Sequence, residues 1–167
     1  MDRKLANLQM AMMEYDRGDA RRIQHFIKVH DLAAMLGRLE DMPEDELFVL
    51  EAAAILHDIG IHKSEEKYQS TAGKYQELEG PTEAEKLLCR QGGFSNSQIN
   101  RIKYLIAHHH TYGDIQELDY QILVEADFLV NLYEDGSSMS VIKNVMKNIF
   151  RTKSGLRMLQ SMYDAKN

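Results

Sequence analysis

The 167-residue chain carries 44% hydrophobic and 28% charged residues, a balance that lets one domain bury a core and excludes a disordered or fibrous protein. Its formal charge of −6 has the wrong sign for the phosphate-neutralising surface that binds long nucleic acids, although a bound cation can reverse the potential inside one pocket and admit a small anion. A single cysteine, Cys89, forbids an intramolecular disulfide, and no apolar run reaches signal-peptide or membrane-spanning length, so a cytoplasmic protein with no membrane partner is expected.

Helix-period patterns cover about residues 2–16, 20–39, 44–58, 81–92, 96–110, 117–134, 138–150 and 153–163, which predicts an all-α, single-domain bundle of about seven or eight helices over residues 1–167. The breaks coincide with stop and start signals: Gly18-Asp19, Asp41-Met42-Pro43, Ile59-Gly60, Gly80-Pro81, Gly92-Gly93, Gly113-Asp114 and Asp135-Gly136. In the second pattern His25, Val29, Leu32, Leu36 and Leu39 share one stripe, so His25 is expected to face the core, with His30 on another face. In the third, Leu47, Leu50, Ala54 and His57 do the same, and Gly60 offers a terminating position just past His57-Asp58. The stretch from Ile61 to Glu79 mixes Lys, Glu, Tyr, Ser and Gly without a clear period and is expected to be a loop over the site. Further on, Ile99, Ile102, Ile106 and His109 line one face, with His108 one step round it. Asp127 then falls inside Ile122-Leu123-Val124-Glu125-Ala126-Asp127-Phe128-Leu129-Val130, among the most apolar segments of the chain.

A carboxylate in such a segment must be neutralised, exposed or bound to a cation, because burying it unpaired costs several kcal/mol. One neutral solution is a salt bridge to Arg22 or Arg101; likewise Asp58 can be read as a helix-end cap, and His30 and His62 as hydrogen-bonded core histidines. The other solution is a cation shared with the inward histidines. Mixed imidazole and carboxylate donors suit iron, manganese, nickel, cobalt or zinc better than calcium.

The order His25, His57-Asp58, His108-His109, Asp127 resembles that of the HD-domain metal-dependent phosphohydrolase superfamily. Gln24-His25-Phe26-Ile27-Lys28-Val29 is similar to its first-ligand helix, and Ala53-Ala54-Ile55-Leu56-His57-Asp58-Ile59-Gly60 to its HDIG signature. Ile106-Ala107-His108-His109 resembles the paired-histidine motif of the two-metal branches, and Leu123-Val124-Glu125-Ala126-Asp127 the segment bearing the last aspartate. The likeness runs from about Arg21 to Tyr133 and leaves 134–167 as a C-terminal helical extension. It implies a metal-dependent hydrolysis of small phosphate esters, often nucleotides, with a divalent transition ion, or magnesium, on His25, His57, Asp58 and Asp127.

In that reading Asp58 also belongs to the catalytic group, and His108 and His109 act as acid, charge stabiliser or ligands of a second ion. Two features set the chain apart from two-metal members. Ile61 follows HDIG where many have a phosphate-contacting lysine, leaving Lys63 as the substitute. Glu79-Gly80-Pro81 stands where another histidine is expected, leaving Glu79 as the compensating ligand, so one tight ion is expected. No GYP-like sequence follows His109, which disfavours cyclic-dinucleotide hydrolysis. Two rival functions share the fold: a diiron oxygenase, and a non-catalytic nucleotide- or metal-binding module.

Overall fold

The computed structural model describes residues 2–164. Among them are nine helices: α1 (Arg3–Tyr15), α2 (Ala20–Leu39), α3 (Glu44–Leu56), α4 (Ile61–Tyr68), α5 (Gly73–Gln91), α6 (Asn96–His108), α7 (Leu118–Glu134), α8 (Met139–Asn148) and α9 (Lys153–Tyr163). The all-α class is as the sequence predicts, and side-chain caps set most of the starts. Asp2, Asp19, Ser138 and Thr152 each accept a backbone N–H of the first turn, and Ser95 with Gln98 forms a capping box that opens α6.

The predicted loop over 61–79 is corrected: apart from a short turn it is helical, which is why nine helices appear instead of seven or eight. The misleading signals are glycines and a proline whose purpose is different. Gly60 has an ordinary right-handed φ of −73°. A Cβ there would come within 2.6 Å of the Gln76 carbonyl oxygen and 2.8 Å of Gly80 N. A Cβ on Gly80 would meet Ile106 at 2.6 Å. These glycines let α4 and α5 approach each other and α6; Gly60 does lie in the turn between α3 and α4, as the sequence predicts, whereas Gly80 lies inside α5 and ends no helix. Pro81 lies inside α5, where it removes one backbone donor without stopping the helix.

Helix α3 is central. From Leu47 to Leu56 nearly every side chain is buried, and it packs against α1, α2, α6 and α7. Helix α7 is buried almost as fully and lies along α2. The α8–α9 pair is fastened by Glu125, which is fully buried. Its Oε1 accepts from Gln121 Nε2 and from the backbone N–H groups of Arg151 and Thr152, and its Oε2 accepts from Thr152 Oγ1. Gly155 leaves room for that carboxylate, since a Cβ would stand 2.0 Å from Oε2. No helix among the described residues is long and apolar enough to cross a membrane.

Candidate metal centre

Four of the donors that the sequence singles out converge where α2, the end of α3 and α7 meet. His25 comes from the first turns of α2. His57 and Asp58 occupy the turn just after α3, which closes with Ile59 N donating to the Leu56 carbonyl and Ile61 N to that of Asp58. Asp127 comes from the middle of α7. His25 Nε2 lies 3.2 Å from His57 Nε2, 3.2 Å from Asp127 Oδ1 and 3.5 Å from Asp58 Oδ2. His57 Nε2 lies 3.4 Å from Asp58 Oδ2 and 3.6 Å from Asp127 Oδ1. Donors about 2.1 Å from one ion and about 90–120° apart stand roughly 3.0–3.6 Å from each other, so these spacings match a shared transition ion.

The arginines that offered Asp127 a structural partner are committed elsewhere. Arg22 pairs with Asp19 and Glu65, and Arg101 with Asp119 and Glu117. Asp127 Oδ1 accepts one neutral hydrogen bond, from Asn131 Nδ2 at 2.8 Å. His30 and His62 are hydrogen-bonded away from the cluster, to Glu51 and to Asp16 with Arg22.

The imidazoles are aimed. His57 Nδ1 is 2.8 Å from the Ala54 carbonyl oxygen, His109 Nδ1 is 2.8 Å from that of Ile106, and His25 Nδ1 is 2.9 Å from Glu134 Oε2. Each of these partners only accepts, so each Nδ1 carries a proton and each Nε2 is left to face the cluster. The Nε2 atoms of His25 and His57 then confront each other, which requires a proton or a metal ion between them. His109 Nε2 is fully buried with no hydrogen-bond partner among the described residues and stands 3.6 Å from Asp58 Oδ1. A buried polar atom left unpaired is costly, and a ligand bond is its natural resolution. The donor set therefore fits a metal ion on the geometry of this chain.

The second histidine pair is corrected. Helix α6 ends at His108, not at residue 110. His108 stays on the helix with its Nδ1 on the Tyr104 carbonyl and its ring against Tyr104, outside the cluster. The turn that follows swings His109 and His110 inward, pinned by the Tyr120 hydroxyl against the carbonyl oxygens of His108 and Thr111 and by Glu77, which accepts from His110 N. Asp58, His109 and His110 each present a donor atom within 4.8 Å of the others', as do His25, His57 and Asp58. The His110 ring lies between Gln76 Oε1 and the Tyr112 hydroxyl, and Gly73 admits it, since a Cβ would come within 2.6 Å of the ring. His110 escapes the sequence reading because the helix period is carried two residues too far.

Glu79 and Lys63 are also corrected. Glu79 is held by Lys67 and Tyr68 of α4 and supplies neither donor group. Lys63 pairs with Glu66 one turn along α4 and does not line the cavity.

Electrostatics follow from the crowding. Burial pushes the carboxyls of Asp58 and Asp127 up, but the facing histidines outweigh it and hold both well below the usual range. Burial pushes His57 down, and the two aspartates more than reverse this, to about 9. His25 is raised by the same aspartates against its burial. His110 is driven down to about 4 by burial and then by His109, and so is uncharged at neutral pH. The cluster is a trap for positive charge.

Above the cluster lies a cavity of about 440 Å³ lined by His25, Asp58, Gln76, His110, Asp127 and Asn131, with Arg21 and Arg22 on its rim. Arg21 is exposed and, among the described residues, makes no ion pair or side-chain hydrogen bond, unlike Arg22.

Comparison with known proteins agrees with this architecture. The sequence profile of the HD domain matches residues 22–147, from three residues before the first histidine to the last turn of α8. The crystal structure of a predicted HD superfamily hydrolase from an uncultured Thermotogales bacterium superposes with a TM-score of 0.69, covering 95% of this chain and 84% of that one at 22% identity. At that identity the likeness speaks to the fold alone. No curated protein matches the chain.

Proposed function

The chain belongs to the HD-domain family, and from that footing we propose that it is a metal-dependent phosphohydrolase acting on a small phosphate ester, nucleotides being the foremost class. The observation that carries the reading is the unsatisfied cluster itself: aimed imidazole nitrogens, two deeply ionised carboxylates and an orphaned His109 Nε2 beneath an open cavity.

His25, His57, Asp58 and Asp127 would hold one ion. Asp58, His109 and His110 would hold a second. Asp58 supports both sets, since its Oδ2 faces His25 and His57 while its Oδ1 faces His109. Divalent ions in such sites supply Lewis acidity, lowering the pKa of water and polarising a phosphoryl oxygen. The remaining work falls to the chain. Asn131 steadies Asp127, and Gln76 and Tyr112 fix the His110 ring. Arg21 is the rim cation free to meet a phosphate, because Arg22 is neutralised by Asp19 and Glu65. This reading moves the phosphate contact from Lys63 to the start of α2 and removes His108 from the acid role.

The second donor set also favours one rival, a diiron oxygenase of the same fold. Oxygen uptake tied to a reducible iron pair would support it, whereas turnover of a phosphate ester without oxygen would remove it. The deciding experiment is a screen of the protein loaded with manganese, iron, cobalt, nickel, zinc or magnesium against nucleoside mono-, di- and triphosphates, cyclic nucleotides and generic phosphomonoesters. Hydrolysis that is lost in His57→Ala/Asp58→Ala supports the proposal. A fully loaded protein inert across the panel overturns it, in favour of the oxygenase where oxygen uptake is found and of a binding module where it is not.

A further inference from the structure

The three buried histidines of the open cluster, His25, His57 and His109, differ in what fixes them. His57 and His109 donate Nδ1–H to backbone carbonyl oxygens three residues back along their own segments, so those bonds are set by the backbone. His25 has no such partner. Its Nδ1–H goes to the side chain of Glu134, 109 residues away at the end of α7.

We propose that Glu134 is a positioning residue of the metal centre, its carboxylate fixing the ring and tautomer of His25 so that Nε2 is presented to the ion. The inference rests on the reading that the cluster holds a metal. Both oxygens of Glu134 are engaged, Oε2 accepting from His25 at 2.9 Å and Oε1 from Lys28 Nζ at 2.5 Å. The side chain is 14% exposed and lines the cavity beside Asn131. Its location runs against local electrostatics. A carboxylate in the last residue of a helix faces the negative end of the helix dipole, where Lys or Arg is the stabilising choice. Glu134 therefore has a reason to be there other than the helix, and the bond to His25 supplies it. Carboxylates that receive the second N–H of a metal-bound imidazole orient the ring and raise its basicity, and losing one weakens metal affinity by about 10- to 100-fold.

The test compares Glu134→Gln, Glu134→Leu and Lys28→Met with the wild-type chain, reading the affinity for cobalt by chelator competition and the His25 tautomer by nitrogen NMR of the metal-free protein. Leucine, which has no acceptor, should weaken binding by about 10- to 100-fold and abolish the Nδ1–H preference of His25. Glutamine keeps a carbonyl oxygen and should preserve the tautomer with a smaller loss of affinity. Lys28→Met removes only a partly exposed ion-pair partner and should change affinity less than about fivefold. A purely structural role predicts something else: equal losses for glutamine and leucine, or a Lys28→Met loss as large as that of leucine, with the tautomer unmoved. Either result overturns the proposal, as does unchanged affinity in all three variants. If Glu134→Leu does not fold, Glu134→Ala takes its place. A wild-type chain that binds no cobalt refutes the metal centre itself, whereas a loaded wild type with equally loaded variants refutes only the role of Glu134.

Discussion

Two buried clusters of histidine and carboxylate lie along α2 and α3, and they are built to opposite ends. In one, His30 Nε2 meets Glu51 Oε2 at 3.2 Å while Glu51 Oε1 accepts from Arg38 at 2.9 Å, so both carboxylate oxygens are engaged. In the other, two imidazole nitrogens face each other at 3.2 Å, and a third, on His109, has no partner among the described residues. Residue type does not separate a structural ion pair from a metal centre. Satisfaction does: a network closed by its own hydrogen bonds stiffens a core, and one left open is completed by a ligand.

The largest effects should come from breaking the open cluster. His57→Ala/Asp58→Ala and Asp127→Ala should each reduce the transition-metal content of the protein to background, as read by elemental analysis, with the helical circular dichroism retained. Alanine suits the helix of Asp127 and removes a carboxylate whose only uncharged partner among the described residues is Asn131. Metal that stays bound to Asp127→Ala would make that residue a core salt-bridge partner and erase the contrast between the clusters. The two histidines of α2 sharpen it further: His25→Ala should cost far more metal affinity than His30→Ala, since His30 already belongs to the closed network.

Next in size is the second ion. His109→Ala should remove it while leaving the first, and His108→Ala should remove neither, because the His108 ring lies against Tyr104. Anomalous scattering from crystals of the loaded protein gives the readout: two peaks about 3.5–4 Å apart in the wild type and in His108→Ala, and one in His109→Ala. Two peaks in His109→Ala would mean that the orphaned nitrogen is an internal packing feature and not a ligand.

Much of this is legible in the sequence because helical period determines facing. Stripes of apolar residues alone put His25, His57 and Asp127 in the interior, where the structure has them, and put Asp58 at the helix end beside them. Legibility fails where spacing, not period, decides the outcome. Gly80 reads as a helix end, yet it lies inside α5, where its missing side chain, with that of Gly60 in the turn before α4, brings α4 and α5 together. His110 replaces His108 because α6 stops two residues early, a difference too small for a periodic pattern to resolve. Glu134 and Arg21 carry no local signal, since one acts across 109 residues and the other is distinguished from its neighbour Arg22 only by lacking the partners that Arg22 has.

The closed cluster yields the smallest effect and the clearest pH dependence. Burial pushes the Glu51 carboxyl up, but the hydrogen bonds and charges of His30 and Arg38 outweigh it and hold it below its usual value of 4.5. A carboxylate whose folded value is depressed binds fewer protons than its unfolded form, so it stabilises the fold above the unfolded value, and that contribution fades as the pH falls through the folded one. Glu51→Gln keeps the shape and removes the charge. At neutral pH it should cost about 1–3 kcal/mol, the range for a buried polar partner left unmatched, or about 2–4 °C in Tm for each kcal/mol. Thermal unfolding of the metal-free proteins from pH 7 down to pH 3 should show the two curves converging as Glu51 takes up its proton. A gap that persists unchanged to pH 3 would assign the loss to packing and deprive the closed network of its electrostatic character.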